Sequence, residues 1–209
     1  MATKRERELR QKLERAVARH RRSATAESWF TLGTLLAEAH QWSHEIADEL
    51  GLDASFQPIE CWKRCVKLAP KHAKAWHRLG ATYVAIDEPA NAIRALTRAV
   101  KLDPHVAAAW NALAILTMPD PGDHDLARVK RAERYLRRAI QEDPRGKKLG
   151  WEPYAWLAEA AERRRDDPGA LAWYAEANRR GDRYAAARKQ VIEDHGARRR
   201  PTHKRRPPR

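Results

Sequence analysis

The stretch Ala73–Pro104, AKAWHRLGATYVAIDEPANAIRALTRAVKLDP, decides the fold. Trp76, Leu79, Gly80 and Tyr83 recur at i, i+3, i+4 and i+7, which is one apolar stripe of an α-helix. On a second helix, Ala92, Leu96 and Ala99 form another one-sided stripe, and Pro104 ends it because proline has no N–H to donate and clashes with the preceding turn. Two short helices of this kind cannot bury their apolar faces alone, so they must stack on neighbours. Gly80 then serves close approach of the second helix, at about 1 kcal/mol of helix propensity relative to alanine.

Copies of the pattern flank this stretch. Trp110 follows Trp76 at a spacing of 34 residues, with Leu113 and Ala114 in the Leu-Gly places and Thr117 in place of Tyr83. Ala132, Leu136, Ala139 and Pro144 complete that unit after a turn-rich insertion, Met118–Asp123, and Asp123 or Asp125 is placed to cap its second helix. Upstream, Trp29, Leu32, Gly33 and Leu36 match a first helix, and Trp62, Cys65 and Pro70 match a second. Between them Leu36, Ala39, Trp42, Ile46 and Leu50 keep helical spacing, which predicts either a lengthened first helix or a short separate one. Gly51 stops that segment and Pro58 opens the next helix. A fourth copy places Tyr154, Leu157, Ala158 and Ala161 on a first helix and Ala170, Tyr174 and Ala177 on a second, with Gly181 as the C-terminal cap signal.

The ends read as covers. Leu9, Leu13, Ala16 and Val17 form a stripe before the first copy, and Tyr184, Ala187, Val191 and Ile192 form one after the last. The expected fold is all-α, an α-solenoid of about four helix pairs with capping helices at both ends. The expected organisation is a basic N-terminal helix over residues 1–22, a solenoid over 23–196 and a disordered polybasic tail over 197–209. The pattern Trp-x2-Leu-Gly-x2-Tyr, then Ala-x3-Leu, Ala and Pro, resembles the tetratricopeptide repeat (TPR) over residues 24 to 182. The last pair, Ala170-x2-Trp173-Tyr174-x2-Ala177-x3-Gly181-Asp182, is similar to a Sel1-type repeat.

The chain carries a net charge of +14, unevenly spread. Residues 1–22 hold nine Lys/Arg and three Glu, and residues 197–209 hold seven Lys/Arg and no acid, which leaves +1 for residues 23–196. Lys4, Arg5, Arg7, Arg198, Arg199, Arg200, Lys204, Arg205, Arg206 and Arg209 are therefore the expected polyanion-binding residues. RNA, DNA, a ribosome surface and acidic proteins all satisfy the electrostatics. An anionic membrane is disfavoured, because nothing offers an insertion anchor or a lipidation motif. No apolar run approaches the ~18 residues of a membrane span. The charged N-terminus lacks a signal core, and the two cysteines, Cys61 and Cys65, suggest no disulfide framework. A cytoplasmic location is expected, or a nuclear one in a eukaryotic host.

The resemblance implies non-enzymatic adaptor function. In TPR proteins the first helices line a concave face, so it implies a protein-binding groove of Glu27, Phe30, Thr34, Lys74, His77, Asn111, Ile115, Met118 and Trp156. That set lacks the paired Lys and Asn of a carboxylate clamp and suits a peptide with an apolar anchor. Among the eight tryptophans, periodicity assigns Trp29, Trp62, Trp76 and Trp110 to packing; Trp156 falls off its helix's buried stripe, and Trp42 and Trp151 lie outside core positions. His40, His44 and Asp48 at i, i+4 and i+8 are zinc-ligand types, but no fourth ligand accompanies them. Cys61 and Cys65, with His72 and His77 beyond, read no better, since burial explains Cys65. No metal and no cofactor are expected. No Gly-rich phosphate loop, HExxH or nucleophile elbow occurs, and Glu159 and Glu162 read as solvated charges. The expected function is a TPR scaffold in a larger assembly, tethered to a polyanion through its basic termini. The alternative is an RNA- or DNA-associated ribonucleoprotein subunit whose main contacts are to phosphates.

Overall fold

A computed structural model describes residues 3–39, 49–52 and 56–199 of the chain, with side chains to residue 193. Every described element is helical: α1 (Lys4–Arg22), α2 (Ala26–Glu38), α3 (Pro58–Leu68), α4 (Ala73–Ala85), α5 (Pro89–Leu102), α6 (Ala107–Thr117), α7 (Leu126–Glu142), α8 (Glu152–Arg163), α9 (Asp167–Arg179) and α10 (Ala185–Arg199). The all-α, paired-helix architecture is that of an α-solenoid. The chain divides into two compact units, residues 1–104 and 105–209.

In the first unit α1 packs on α2, α2 on α3, α3 on α4, and α4 on α5. Thr3 caps α1 and Thr25 caps α2, each accepting from the backbone N–H three residues on, of Glu6 and Ser28 respectively. The α1 stripe Leu9, Leu13, Ala16 and Val17 is buried as expected. Trp29, Leu32, Leu36, Trp62, Cys65 and Leu79 share one core with it. Trp76 is half-buried against that core, and its indole N–H donates to Pro70 O at 2.9 Å. α2 ends at Glu38, which rules out the lengthened first helix. Trp42, Ile46, His40, His44 and Asp48 lie outside the described residues.

In the second unit α6 pairs with α7, α7 packs on α8, α8 on α9, and α9 on α10. Leu113, Leu136, Ala132, Ala139, Leu157, Ala158 and Ala170 are fully or almost fully buried, as the repeat pattern requires. Asp125, one of the two expected caps, accepts from the N–H groups of Ala127 and Arg128. Gly181, at φ 104°, closes α9: its N–H donates to Asn178 O and that of Asp182 to Ala177 O, both at 3.0 Å. This is the paired C-terminal closure that a left-handed residue permits.

The closing helix differs from expectation in its face. Tyr184 is 80 % exposed and precedes α10, and Val191 is exposed, whereas Ala185 and Ile192 pack inward. Seven residues put Ala185 and Ile192 on one side of a helix, and the stripe drawn through Tyr184 and Val191 is one position out of phase. α10 also runs to Arg199, so residues 197–199, assigned to the tail, are helical; residues 200–209 lie outside the described residues.

Candidate functional site

The expected groove residues fall into both units. Glu27, Phe30 and Thr34 share one face of α2 at i, i+3 and i+7. The Phe30 ring lies 4.6 Å from that of His72, the N-cap of α4. His72 Nδ1 accepts from Ala75 N–H at 3.1 Å, so Nε2 carries the proton and donates to Glu27 Oε2 at 3.4 Å. This seats the α2 face against the start of α4, where exposed Lys74 and half-buried His77 follow. Burial, and then the charge of Arg78, lower the His77 pKa and keep the imidazole neutral near pH 7. The six side chains form a mixed surface: an aromatic pair, a carboxylate, a hydroxyl, a neutral imidazole and a cation.

In the second unit the expectation needs correction. Met118 is only 7 % exposed and packs with Ala114, Val129 and Leu157 in the core. Asn111 is only 5 % exposed, and its Nδ2 donates to Glu152 Oε2 at 2.7 Å. Both serve packing rather than an open surface. Trp156, expected off the buried stripe, is half-buried against the same core, and Ile115 is half-buried. Trp151 is exposed, at the N-cap of α8. Glu159 and Glu162 are not free charges: Glu159 accepts from Arg163 at 2.7 Å, and Glu162 pairs with Arg188 at 2.9 Å. The Tyr174 hydroxyl beside them is pushed up to about 12, first by burial and then by its hydrogen bond to Glu162.

Among the expected polyanion contacts, Lys4, Arg5 and Arg7 are exposed at the start of α1. Farther along α1, Lys12, Arg15 and Arg19 line a cleft of about 340 Å³ against α2, floored by Ala16 and Leu35. Arg198 and Arg199 lie in the last turn of α10, and Arg200, Lys204, Arg205, Arg206 and Arg209 are outside the described residues. Cys61 and Cys65 are buried free thiols, raised to about 12 and about 11 chiefly by desolvation. Among the described residues no three His, Cys, Asp or Glu side chains converge as metal ligands do, and no helix is long and apolar enough to cross a membrane.

The structure adds a feature that segment-by-segment charge reading missed. Residues 126–148 contain nine Lys/Arg and three Asp/Glu. All three acids are engaged within the second unit. Glu133 pairs with Arg137 at 3.4 Å and with Arg164 at 2.9 Å, and Glu142 pairs with Arg138 at 2.7 Å and His105 at 2.8 Å. Asp143 accepts from the N–H groups of Lys147, Lys148 and Leu149 at 3.1, 2.8 and 2.9 Å. Burial alone raises the Asp143 pKa, but these three donors and the Lys148 charge outweigh it and hold it below the usual carboxylate range.

Stacked helix pairs of this geometry define a helical repeat protein. Residues 73–116 match the family model described as tetratricopeptide repeat, and the chain carries that fold. In structure it is similar to MamA, with 21% sequence identity, 88% of this chain and 89% of that chain covered, and a TM-score of 0.56. It is also similar to YrrB, described as a TPR protein with an unusual peptide-binding site, with 15% identity, 87% and 84% coverage and a TM-score of 0.61. The comparison with curated proteins gave no match. The family match ends at residue 116 and does not reach the Sel1-like segment 170–182.

Proposed function

We propose that the chain is a non-enzymatic scaffold that binds a protein segment on the first-helix face of its first unit, within a larger assembly in the cytoplasm. The repeat fold supports protein binding in general. The observation that carries this reading is the α2–α4 surface, where the tilted rings of Phe30 and His72 meet between Glu27 and Thr34, with Lys74 and His77 alongside. An aromatic pair offers a peptide an apolar anchor, and the surrounding polar atoms can orient its backbone. YrrB, by its description, also has a peptide-binding site. Within the second unit, Ile115 and Trp156 of the proposed set are half-buried and offer a less open surface. The basic start of α1 and the tail would tether the assembly to a polyanion.

Capture on immobilised full-length chain tests this reading. Protein partners are expected to persist after nuclease treatment and after deletion of residues 197–209. They are expected to be lost on Thr34→Arg with Lys74→Glu, two changes outside the core. Loss of all partners on nuclease treatment or tail deletion, or full retention by the double variant, refutes it.

A further inference from the structure

An unneutralised row of cations lies on α7, and it belongs neither to the termini nor to the α2–α4 face. Lys130, Arg131, Arg134, Arg137 and Arg138 all fall within about 120° of the helix circumference, since successive residues turn about 100°. Lys130, Arg131 and Arg134 are exposed and have no carboxylate within ion-pair distance among the described residues. Beyond the C-terminus of α7, Arg145, Lys147 and Lys148 are exposed on a loop whose backbone Asp143 fixes. The acids of this segment are occupied internally, so the outward side is cationic with no carboxylate to offset it.

We infer that this α7 face is a binding surface for the phosphate backbone of a nucleic-acid duplex. A protein partner calls for an apolar centre within a polar rim, and the exposed sector of α7 from Lys130 to Arg138 has no apolar side chain. A membrane surface calls for an apolar anchor, absent for the same reason. A single strand calls for exposed aromatics to stack on, and Tyr135, the one aromatic of α7, is half-buried against Trp110. Between Lys130 and Arg138 the exposed face is a rigid row of cations, with exposed Leu126 one turn before it and exposed Trp151 beyond the loop, and such a row is complementary to evenly spaced phosphates. Over the ~12 Å from Lys130 to Arg138 a duplex presents about seven negative charges. The face carries no donor set fixed for base edges, so binding is indifferent to sequence.

The test measures binding of full-length chain to a labelled DNA duplex of about 20 base pairs as a function of salt. The triple variant Lys130→Gln, Arg131→Gln, Arg134→Gln retains good helix formers on an exposed face, so the fold is retained. Loss of three phosphate contacts is expected to flatten the salt slope by about 2 to 3 and to weaken binding about tenfold or more at low salt. An unchanged slope assigns all binding to the termini and overturns the inference. Polyglutamate bound as tightly as the duplex, with the same loss in the variant, overturns it in favour of an acidic protein. Acetylation footprinting on unmutated chain gives an independent reading: the duplex should protect Lys130, and full reactivity of Lys130 at saturation overturns the inference. Neither outcome bears on the α2–α4 surface, so this proposal and the scaffold reading fail separately.

Discussion

Gly80→Ala probes the contact that makes α4 and α5 a pair. A Cβ at this position would lie 2.6 Å from Leu96 Cγ, 2.8 Å from Leu96 Cδ2 and 3.2 Å from the Leu96 backbone N. Leu96 is 0 % exposed, so its branch point cannot swing into solvent and the helix itself must give. Overpacking of this kind costs about 1–3 kcal/mol, at the upper end when a branch carbon and backbone are both struck. Alanine recovers about 1 kcal/mol of helix propensity. The expected net effect is a loss of about 1–2 kcal/mol, opposite in sign to propensity alone. Ala81→Gly, at the exposed neighbouring position, measures the propensity component in the same helix. Urea unfolding followed by far-UV circular dichroism reads the midpoints. In a double-mutant cycle, Leu96→Ala costs about 2–5 kcal/mol alone, and in the double variant the new methyl occupies part of the vacated space. The double variant should then fall short of the summed losses by about 1–3 kcal/mol. A Gly80→Ala protein that is more stable than wild type, or strict additivity with Leu96→Ala, would refute the close approach and with it the helix pairing.

Three more outcomes are expected. Asp143→Ala removes the acceptor of three N–H groups and should cost about 1–3 kcal/mol; hydrogen exchange at Lys147, Lys148 and Leu149 should speed up, and unchanged protection there would show that the loop holds itself. Burial, and then the Arg64 charge, lower the pKa of His20, so the unfolded chain takes up the proton first: stability is complete above about pH 6.5 and falls as the pH drops below it, and thermal melts of His20→Gln should show a shallower acid slope. Cys61 and Cys65, raised to about 12 and about 11, should resist a thiol reagent in native protein and react fully in denaturant; rapid labelling of the native protein would mean that the first core opens readily.

The repeat was legible because the apolar positions in these helix pairs are set by local periodicity. Trp29, Leu32, Leu79, Leu96, Leu113 and Leu136 could be placed in cores from spacing alone, and their burial follows. Gly181 was legible as a cap because glycine favours a left-handed backbone. Asp87 and Arg165 close α4 and α8 in the same way, at φ 56° and 58°, and gave no such signal because other residues rarely adopt that conformation. The groove reading fared unevenly for a different reason. A position on a helix wheel gives a direction and not an exposure, so Phe30 and His77 remain near a surface while Asn111 and Met118 are covered by their own unit. Glu162 looked solvated because its partner, Arg188, is 26 residues away on another helix.

The charge distribution shows where composition misleads and why. Net charge for residues 23–196 is only +1, yet α7 presents an outward row of cations. A sum treats every charge as equally visible to solvent. Glu133 is almost fully buried between Arg137 and Arg164, Glu142 is largely covered between Arg138 and His105, and Asp143 is turned onto backbone amides. A carboxylate engaged in this way neutralises its immediate partners, and its field is largely spent on them, whereas the field of exposed Lys130 or Arg134 reaches about a Debye length into water. The pairing within residues 126–148 therefore also sorts the charges of that segment, acids inward and bases outward. Reversing the sorting without changing the sum is the decisive comparison. Placing Gln at 130, 131 and 134 while three exposed polar residues elsewhere on the fold become Lys keeps the sum, moves the cations off α7 and leaves the buried acids and the interior intact. If duplex binding then followed net charge alone, and any three cations elsewhere on the fold could substitute for Lys130, Arg131 and Arg134, the arrangement on α7 would carry no information.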